Sequence, residues 1–390
     1  MQRIISQRLS LLEPSKTLMV SSLVRKFREE GKRVINLGVG EPDFETPLCI
    51  KKAAIRAIRD GFTRYTPVAG IDELRAEISK KLEKENNVSY KTQEIVVGVG
   101  SKQLLYNAFQ VLCEKGDEVI IPTPTWTTYI EQVKLSGAKP VLVRLPKPFK
   151  LEAKNIIPYI TAKTKVIEIN SPSNPTGAVV EKNELGKLAD ICVKKGIFII
   201  SDEIYEKIIF GKKFYSIASL SEKIKRLTIT INGFSKAYAM TGWRVGYAAG
   251  PVEIIEVMTR LQGQTTTNTS SISQKAAVAA LRDSKQDVIN MVREYKKRRD
   301  FVTKALSSIK ALNGIKPDGT FYYFIDIRNL FNGKYSTSSE WSYELLTKYK
   351  VVVVPGEAFE APGFIRISFT ANLSDLKEGL KRIKKFVEYD

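Results

Sequence analysis

Short aliphatic runs and helix-period segments take turns along most of this chain. Residues 95–99, 119–121, 166–169, 197–200 and 227–231 read as buried strands, with 245–249 as another. Helical segments or loops separate them, and Leu105, Ala108, Phe109 and Leu112 mark one such helix face. This alternation predicts an α/β domain with helices on both faces of a mostly parallel central sheet. Upstream, residues 34–44 read as a strand followed by a glycine-proline turn. Thr46 is placed to cap a helix with Pro47 at its first position, Ile50, Ala54 and Ile58 on one face, and Gly61 as its stop. A second helix starts at Asp72 with Leu74, Ile78 and Leu82 apolar, and residues 18–30 form a further helical pattern.

Downstream of about Ser273 one long helical pattern runs through Val302 and Leu306. Strands are expected near 319–327 and 351–354, an alternating strand around Arg366, and a last helix over 374–388. These elements divide the chain into a large domain, 48–289, and a smaller α/β domain assembled from 1–47 and 290–390. The threonine-rich stretch 264–271 reads as a polar loop.

Ligands of parallel sheets gather beyond the carboxyl ends of the strands. Five polar groups fall there in sequence: Gly100-Ser101-Lys102, Trp126, Asn174, Asp202 and Lys236. Gly100, Ser101 and Lys102 open a helix after a strand, a place where backbone N–H groups bind phosphate, though also a common strand-to-helix turn. Trp126 offers a ring to stack on a planar ligand or to fill core. Asp202 follows four aliphatics, and is either a helix cap or a buried carboxylate that needs a cation. Arg366 sits inside an alternating apolar strand, which is costly without an anionic partner.

Composition narrows the chemistry. The chain has 390 residues and no histidine, which excludes His-based triads and histidine-ligated metal sites. No metal site is expected. Proton transfer is left to Lys, Asp, Glu, Tyr or Cys. Cys49, Cys113 and Cys192 are far apart, as suits buried thiols in a reducing cytoplasm. No secretory leader and no run long enough to cross a membrane is evident. The net charge of +20 raises nucleic-acid binding. Its lysines, however, are dispersed and mixed with glutamate, as in Lys80-Lys81-Leu82-Glu83-Lys84, which reads as a solvated surface.

The stretch 232–246, Asn-Gly-Phe-Ser-Lys-Ala-Tyr-Ala-Met-Thr-Gly-Trp-Arg-Val-Gly, holds Lys236 between two apolar runs. A lysine on a turn at a strand end is readily desolvated, which frees its amine as a nucleophile. Arg244 is a fixed charge suited to a phosphate. The string resembles the cofactor-lysine motif of class I aminotransferases, pyridoxal-phosphate (PLP) enzymes of fold type I. The resemblance runs from Pro14-Ser-Lys-Thr17 to the Arg366 strand and lies nearest the bacterial and archaeal aspartate aminotransferase branch.

The resemblance implies the roles. Lys236 carries the cofactor and moves the substrate proton; Asp202 faces the pyridine nitrogen; Tyr205 and Asn174 meet the phenolic oxygen. Ser235 and Arg244 join Gly100, Ser101 and Lys102 at the phosphate, while Trp126 stacks on the ring. Gly40, Trp126, Asn174 and Arg366 receive the substrate, Arg366 taking its α-carboxylate. Tyr65, in Arg64-Tyr65-Thr66, reaches the phosphate of a neighbouring subunit, implying a homodimer with shared sites. Lys16 is the candidate for a side-chain carboxylate. Gly233 departs from some members, which place a hydroxyl three residues before the lysine.

The implied activity moves an amino group between an L-amino acid, aspartate first, and 2-oxoglutarate by ping-pong kinetics. Aromatic amino acids, alanine and prephenate stay open as substrates. A lyase on the same fold and a non-catalytic PLP-fold binding protein are the other classes, neither favoured by the presence of Lys236, Asp202 and Arg366 together.

Overall fold

The computed structural model describes residues 6–10, 12–13, 29, 31 and 33–389. The helical pattern over 18–30, apart from Glu29, and the 14–17 string with Lys16 lie outside the described residues.

The strands in chain order are β1 Ile35–Asn36, β2 Ile95–Gly98, β3 Glu118–Thr123, β4 Lys139–Arg144, β5 Thr164–Asn170, β6 Phe198–Asp202 and β7 Thr228–Gly233. There follow β8 Gly246–Ala249, β9 Asn313–Ile315, β10 Tyr322–Asp326, β11 Val351–Val352, β12 Val354–Pro355 and β13 Phe364–Ser368. Seven of them build the central sheet in the order β2-β8-β7-β6-β5-β3-β4. Only β8 runs antiparallel to its neighbours. The inner strands are buried along almost their whole length because helices cover both faces, so they read as continuous aliphatic runs rather than alternating ones. Four strands, β12-β13-β10-β9, form a second, antiparallel sheet, and β1 pairs with β11 alone. The core under the second sheet extends to Ile204, Tyr205, Ile208 and Phe210, which follow β6. That shared core ties the mouth of the central sheet to β10 and β13.

Local chemistry explains where the elements differ from the sequence reading. The Leu48–Arg59 helix starts one residue later than expected, with Pro47 at its N-cap and no side-chain cap. Thr46 instead donates to Ala239 O at 2.6 Å and accepts from Trp243 Nε1 at 3.0 Å, so its hydroxyl ties the entering chain to the Lys236 turn. Ala57, not Ile58, completes that helix's inner face; Ile58 is 55% exposed. The long helical pattern is two helices, Ser271–Asp283 and Lys285–Ser307. Between them the buried Ser284 donates its hydroxyl to Ala280 O at 2.6 Å, a local bond that competes with helix continuation.

Of the elements that escaped the pattern reading, three show why. β4 exposes Lys139, Leu142 and Arg144 at the sheet edge and carries Pro140, which an edge tolerates. β9 has no fully buried residue. The Ser338–Tyr349 helix carries a legible signal, since Thr337 and Glu340 form a capping box with Glu340 N donating to Thr337 Oγ1 at 3.1 Å. No helix among the described residues is long and apolar enough to cross a membrane.

Candidate active site

Because β2, β3, β5, β6 and β7 are parallel, their carboxyl ends share one edge of the sheet. β8 is reversed, so its amino end, just after Arg244, meets the same edge. Gly246 pairs with Gly98 on one side and Gly233 on the other. A Cβ on Gly246 would lie 2.8 Å from Ser101 N, and one on Gly233 would lie 2.8 Å from Ser101 Oγ. The bare backbones of this row let the Ser101–Leu112 helix start close against the sheet. The space a side chain at 233 would take holds the Ser101 hydroxyl, which donates to Asn232 O at 3.1 Å.

Arg244 reaches over that helix start. It adopts a left-handed backbone, φ 53°, and donates to Thr241 O at 2.9 Å and Val99 O at 3.4 Å. A Cβ on Gly100, whose φ is +78°, would come within 2.6 Å of Arg244 Nη2. Lys102 Nζ lies 4.8 Å from the centroid of the Trp126 ring. Burial, then Arg244, lowers the Lys102 ammonium below its ordinary pKa. Two cations and the N–H groups of a helix N-terminus thus converge where, among the described residues, no carboxylate bonds either cation. Ser235, one residue before Lys236, is half-buried; its carbonyl accepts from Met240 N.

Lys236 Nζ donates to Gly40 O at 2.5 Å and stands 6.0 and 5.9 Å from the Tyr205 and Phe321 ring centroids. Burial first, then Arg366 and Arg244, lowers its ammonium to about 8 against the opposing pull of Glu41 and Asp202. Near pH 8 the amine is half in its nucleophilic, proton-accepting form.

Asp202 closes β6, 2% exposed. Its Oδ2 accepts from the Tyr129 hydroxyl at 2.8 Å and its Oδ1 from Ile204 N at 3.1 Å. Burial pushes this carboxyl up to about 6 although Tyr129, Ile204 and Lys236 pull it down. Tyr205 is buried, and its hydroxyl lies 3.0 Å from that of Tyr322.

Arg366 is buried on β13 with no carboxylate partner among the described residues. It donates to Asn174 Oδ1 at 2.8 Å and Gly38 O at 3.0 Å, while its Nε has no partner. Its guanidinium lies 4.0 Å from the Tyr322 ring centroid and 4.8 Å from that of Phe359. A side chain on Gly40 would meet Tyr322 Oη at 3.2 Å, so only glycine leaves this approach to Arg366 open. A buried guanidinium without an anion fits an anionic ligand that arrives from solution.

One chain therefore gathers Gly40, Gly100, Ser101, Lys102, Trp126, Asn174, Asp202, Tyr205, Ser235, Lys236, Arg244 and Arg366 along one sheet edge. Tyr65 stands apart, 88% exposed. Tyr129, Tyr322 and Asn170 were missed from sequence. Tyr129 follows Trp126 by three residues and Asn170 closes a strand run, but nothing in their spacing names a partner. Tyr322 comes to the site only through the pairing of β10 with β13. Among the described residues no group of His, Cys, Asp and Glu could hold a metal ion.

Comparison with known proteins agrees with this geometry. The family model for aminotransferase class I and II matches residues 32–383. A probable aspartate/prephenate aminotransferase of Aquifex aeolicus is 46% identical, with both chains covered in full. An aspartate aminotransferase of Bacillus subtilis is 42% identical over 98% of this chain and 99% of its own. Among solved structures, the aspartate aminotransferase of Rhizobium meliloti superposes with a TM-score of 0.95 at 38% identity, covering 99% of each chain. That of Thermus thermophilus with maleate gives 0.93 at 36% identity, covering 99% of this chain and 100% of that one. With its fold, its strand-end lysine and its full-length relatives in agreement, this chain belongs to the class I and II aminotransferases.

Proposed function

We propose that this aminotransferase works with pyridoxal 5′-phosphate on Lys236, taking the amino group from aspartate and passing it to 2-oxoglutarate in a ping-pong sequence. The observation that carries the reading is the pairing of a desolvated lysine with a buried arginine that has no carboxylate, across one cleft. The residues fit the cofactor. Arg244 and the backbone N–H groups of the helix start at Gly100, Ser101 and Lys102 would hold its phosphate, and Ser235 would join them. Asp202 would face the ring nitrogen, Trp126 the ring, and Asn174 and Tyr205 the phenolic oxygen. When bound, the cofactor supplies an electron sink for the pair left at Cα after deprotonation.

The chain's own residues do the rest. Arg366 grips the substrate α-carboxylate bidentately over the bare Gly40. Lys236 Nζ, with its lowered pKa, takes the Cα proton. Tyr129 and Ile204 N–H hold the Asp202 carboxylate in its charged form, which keeps a ring nitrogen protonated. Tyr322 lies against the Arg366 guanidinium and fixes its plane.

Aspartate as donor is supported by the names of the full-length relatives. The Aquifex relative's name favours prephenate as a second oxo-acid acceptor. Lys16 and Lys102 are the two candidates for the side-chain carboxylate. Lys102 gains support from an ammonium that lies on Trp126 with no acidic partner among the described residues. The dimer is supported by Tyr65 and by the apolar residues Leu48, Ile55 and Ile58, 61%, 49% and 55% exposed. Three free thiols, two of them buried, support a reducing, cytoplasmic setting. The division into domains 48–289 and 1–47 with 290–390 is proposed on the same footing.

A panel of amino donors with 2-oxoglutarate, following oxo-acid release and the cofactor band, tests the reading. Aspartate should lead, and Arg366→Ala should impair every donor alike. Lys16→Ala or Lys102→Ala should impair aspartate selectively over alanine and aromatic donors. No transfer from any donor would overturn it.

A further inference from the structure

Asn170 is the last residue of β5, and its partner in the register with β6 is Asp202. Its side-chain amide is used at both ends. Nδ2 donates to the Asp202 carbonyl at 3.1 Å, across to the neighbouring strand. Oδ1 accepts from Asn174 N at 2.8 Å, along its own chain. Asn174 Oδ1 in turn accepts from Arg366 Nη1 at 2.8 Å. One amide thus clamps the backbone of the residue that faces the ring nitrogen to the backbone of the residue that touches the carboxylate-binding arginine.

We infer that Asn170 is a positioning residue that locks Asp202 and Asn174 in one geometry, joining the ring-nitrogen end of the site to the α-carboxylate end. The inference rests on the cofactor and substrate roles proposed above. Aspartate, serine and glutamine would not do the same work at this position. The clamp needs one donor and one acceptor at opposite ends of a short planar group. Aspartate keeps the acceptor, loses the donor, and sets a second negative charge beside Asp202. Serine cannot span both partners, and glutamine is one methylene too long for a strand end already fixed by pairing. Beyond β5 the chain runs into a loop in which Gly177 N donates to Ser173 O and Ser173 N to Ala178 O. The Asn170 side chain, together with Ser171 N, which donates to the same Asp202 carbonyl at 3.2 Å, ties the start of that loop to the sheet.

The test uses the holoenzyme, with Asn170→Ala and Asn170→Asp beside Asn174→Ala and the double variant. Three quantities are read: affinity for succinate as an inert carboxylate, the pH midpoint of the cofactor absorbance band, and thermal midpoint. Loss of a clamp of this kind should weaken succinate about three- to tenfold in Asn170→Ala. Asn170→Asp should recover part of that loss, because it keeps the bond to Asn174, yet shift the pH midpoint further than alanine does. In the Asn174→Ala background, Asn170→Ala should cost no further succinate affinity. A lower thermal midpoint with unchanged affinity and band, or fully additive losses in the double variant, would overturn the inference. A wild type with no cofactor band would instead overturn the reading of the site, and this inference with it.

Discussion

Two lysines of this protein are withdrawn from water and live in opposite electrostatic settings. Lys81, in the middle of the Asp72–Asn86 helix, is 7% exposed and fully partnered. Its ammonium donates to Asn86 Oδ1 at 2.7 Å and to Glu206, with Asn86 Nδ2 donating to the other Glu206 oxygen. Burial pushes the Glu206 carboxyl up, but Lys81 and Lys207 overcome it and hold it below its ordinary value. Lys236 has a carbonyl for its acceptor, and among its electrostatic neighbours Arg366 and Arg244 outweigh Glu41 and Asp202. The comparison teaches that burial alone does not make a lysine reactive. Burial with a carboxylate makes a structural pair, whereas burial facing cations makes an amine that gives up its proton near pH 8.

The comparison breaks most sharply at Lys236. Lys236→Ala should abolish turnover, and borohydride reduction of the wild type should trap the cofactor on this lysine, read by peptide mass. The stability arm has a definite sign. Below pH 8 the ammonium is charged in both folded and unfolded chains, so its full desolvation cost falls on the folded state. Between pH 8 and 10.5 the folded protein has released a proton that the unfolded chain keeps, and stability rises. Lys236→Met should therefore stabilise the apo-protein by on the order of 2 kcal/mol at pH 7, with the gain gone above pH 10.5, as checked by urea unfolding.

Asp202→Asn removes the charge that makes the site polar in one direction. It should lower kcat by about 10²–10⁴-fold, with little change in the unfolding midpoint. Turnover near that of the wild type would reduce Asp202 to a backbone cap for Ile204.

Lys81→Met tests the structural member of the pair. It leaves Glu206 buried against only Lys207 and Asn86, and should cost about 3–5 kcal/mol in urea unfolding. The double replacement Lys81→Met with Glu206→Leu should recover much of that loss. Activity per folded molecule should stay unchanged in both, which is the inverse of the Lys236 result.

The smallest effect concerns Glu203, one residue beyond Asp202 and 1% exposed. Its Oε1 accepts from Ser216 at 2.7 Å and Ser201 at 3.0 Å, while Oε2 has no partner. Burial and Glu206 push this carboxyl up to about 8. The folded chain therefore keeps a proton that the unfolded chain releases above about pH 4.5, so stability falls as pH rises from there through 8. Glu203→Gln should flatten that slope by up to about 1.4 kcal/mol per pH unit, measured as unfolding free energy at pH 6 and 8.

Much of this was legible in the chain itself. Aliphatic runs announce the inner strands because a sheet covered on both faces leaves no polar side. The side chains that follow those runs announce the site because every parallel strand ends at the same edge. Lys236, Asp202 and Asn174 could thus be named from their positions after the runs, and Arg366 from its place inside an alternating apolar strand. The edge strand β4 could not, because exposure on one side dilutes its pattern with Lys139 and Arg144. The break at Ser284 was equally hidden, since one serine within a helical period carries no sign that its hydroxyl will turn back to Ala280.

What only the tertiary structure decided is which distant groups meet. The sequence by itself determined residue types, periodicities and the succession of strand runs along the chain. It did not determine that β8 runs backwards to set Arg244 against Gly100, or that β10 delivers Tyr322 to Arg366. It also left open that Asp202 takes its hydrogen bond from Tyr129, 73 residues earlier. Periodicity is a local property, set by the geometry of one element and the face it buries. Partner choice depends on strand order and register, which are settled by the packing of the whole sheet.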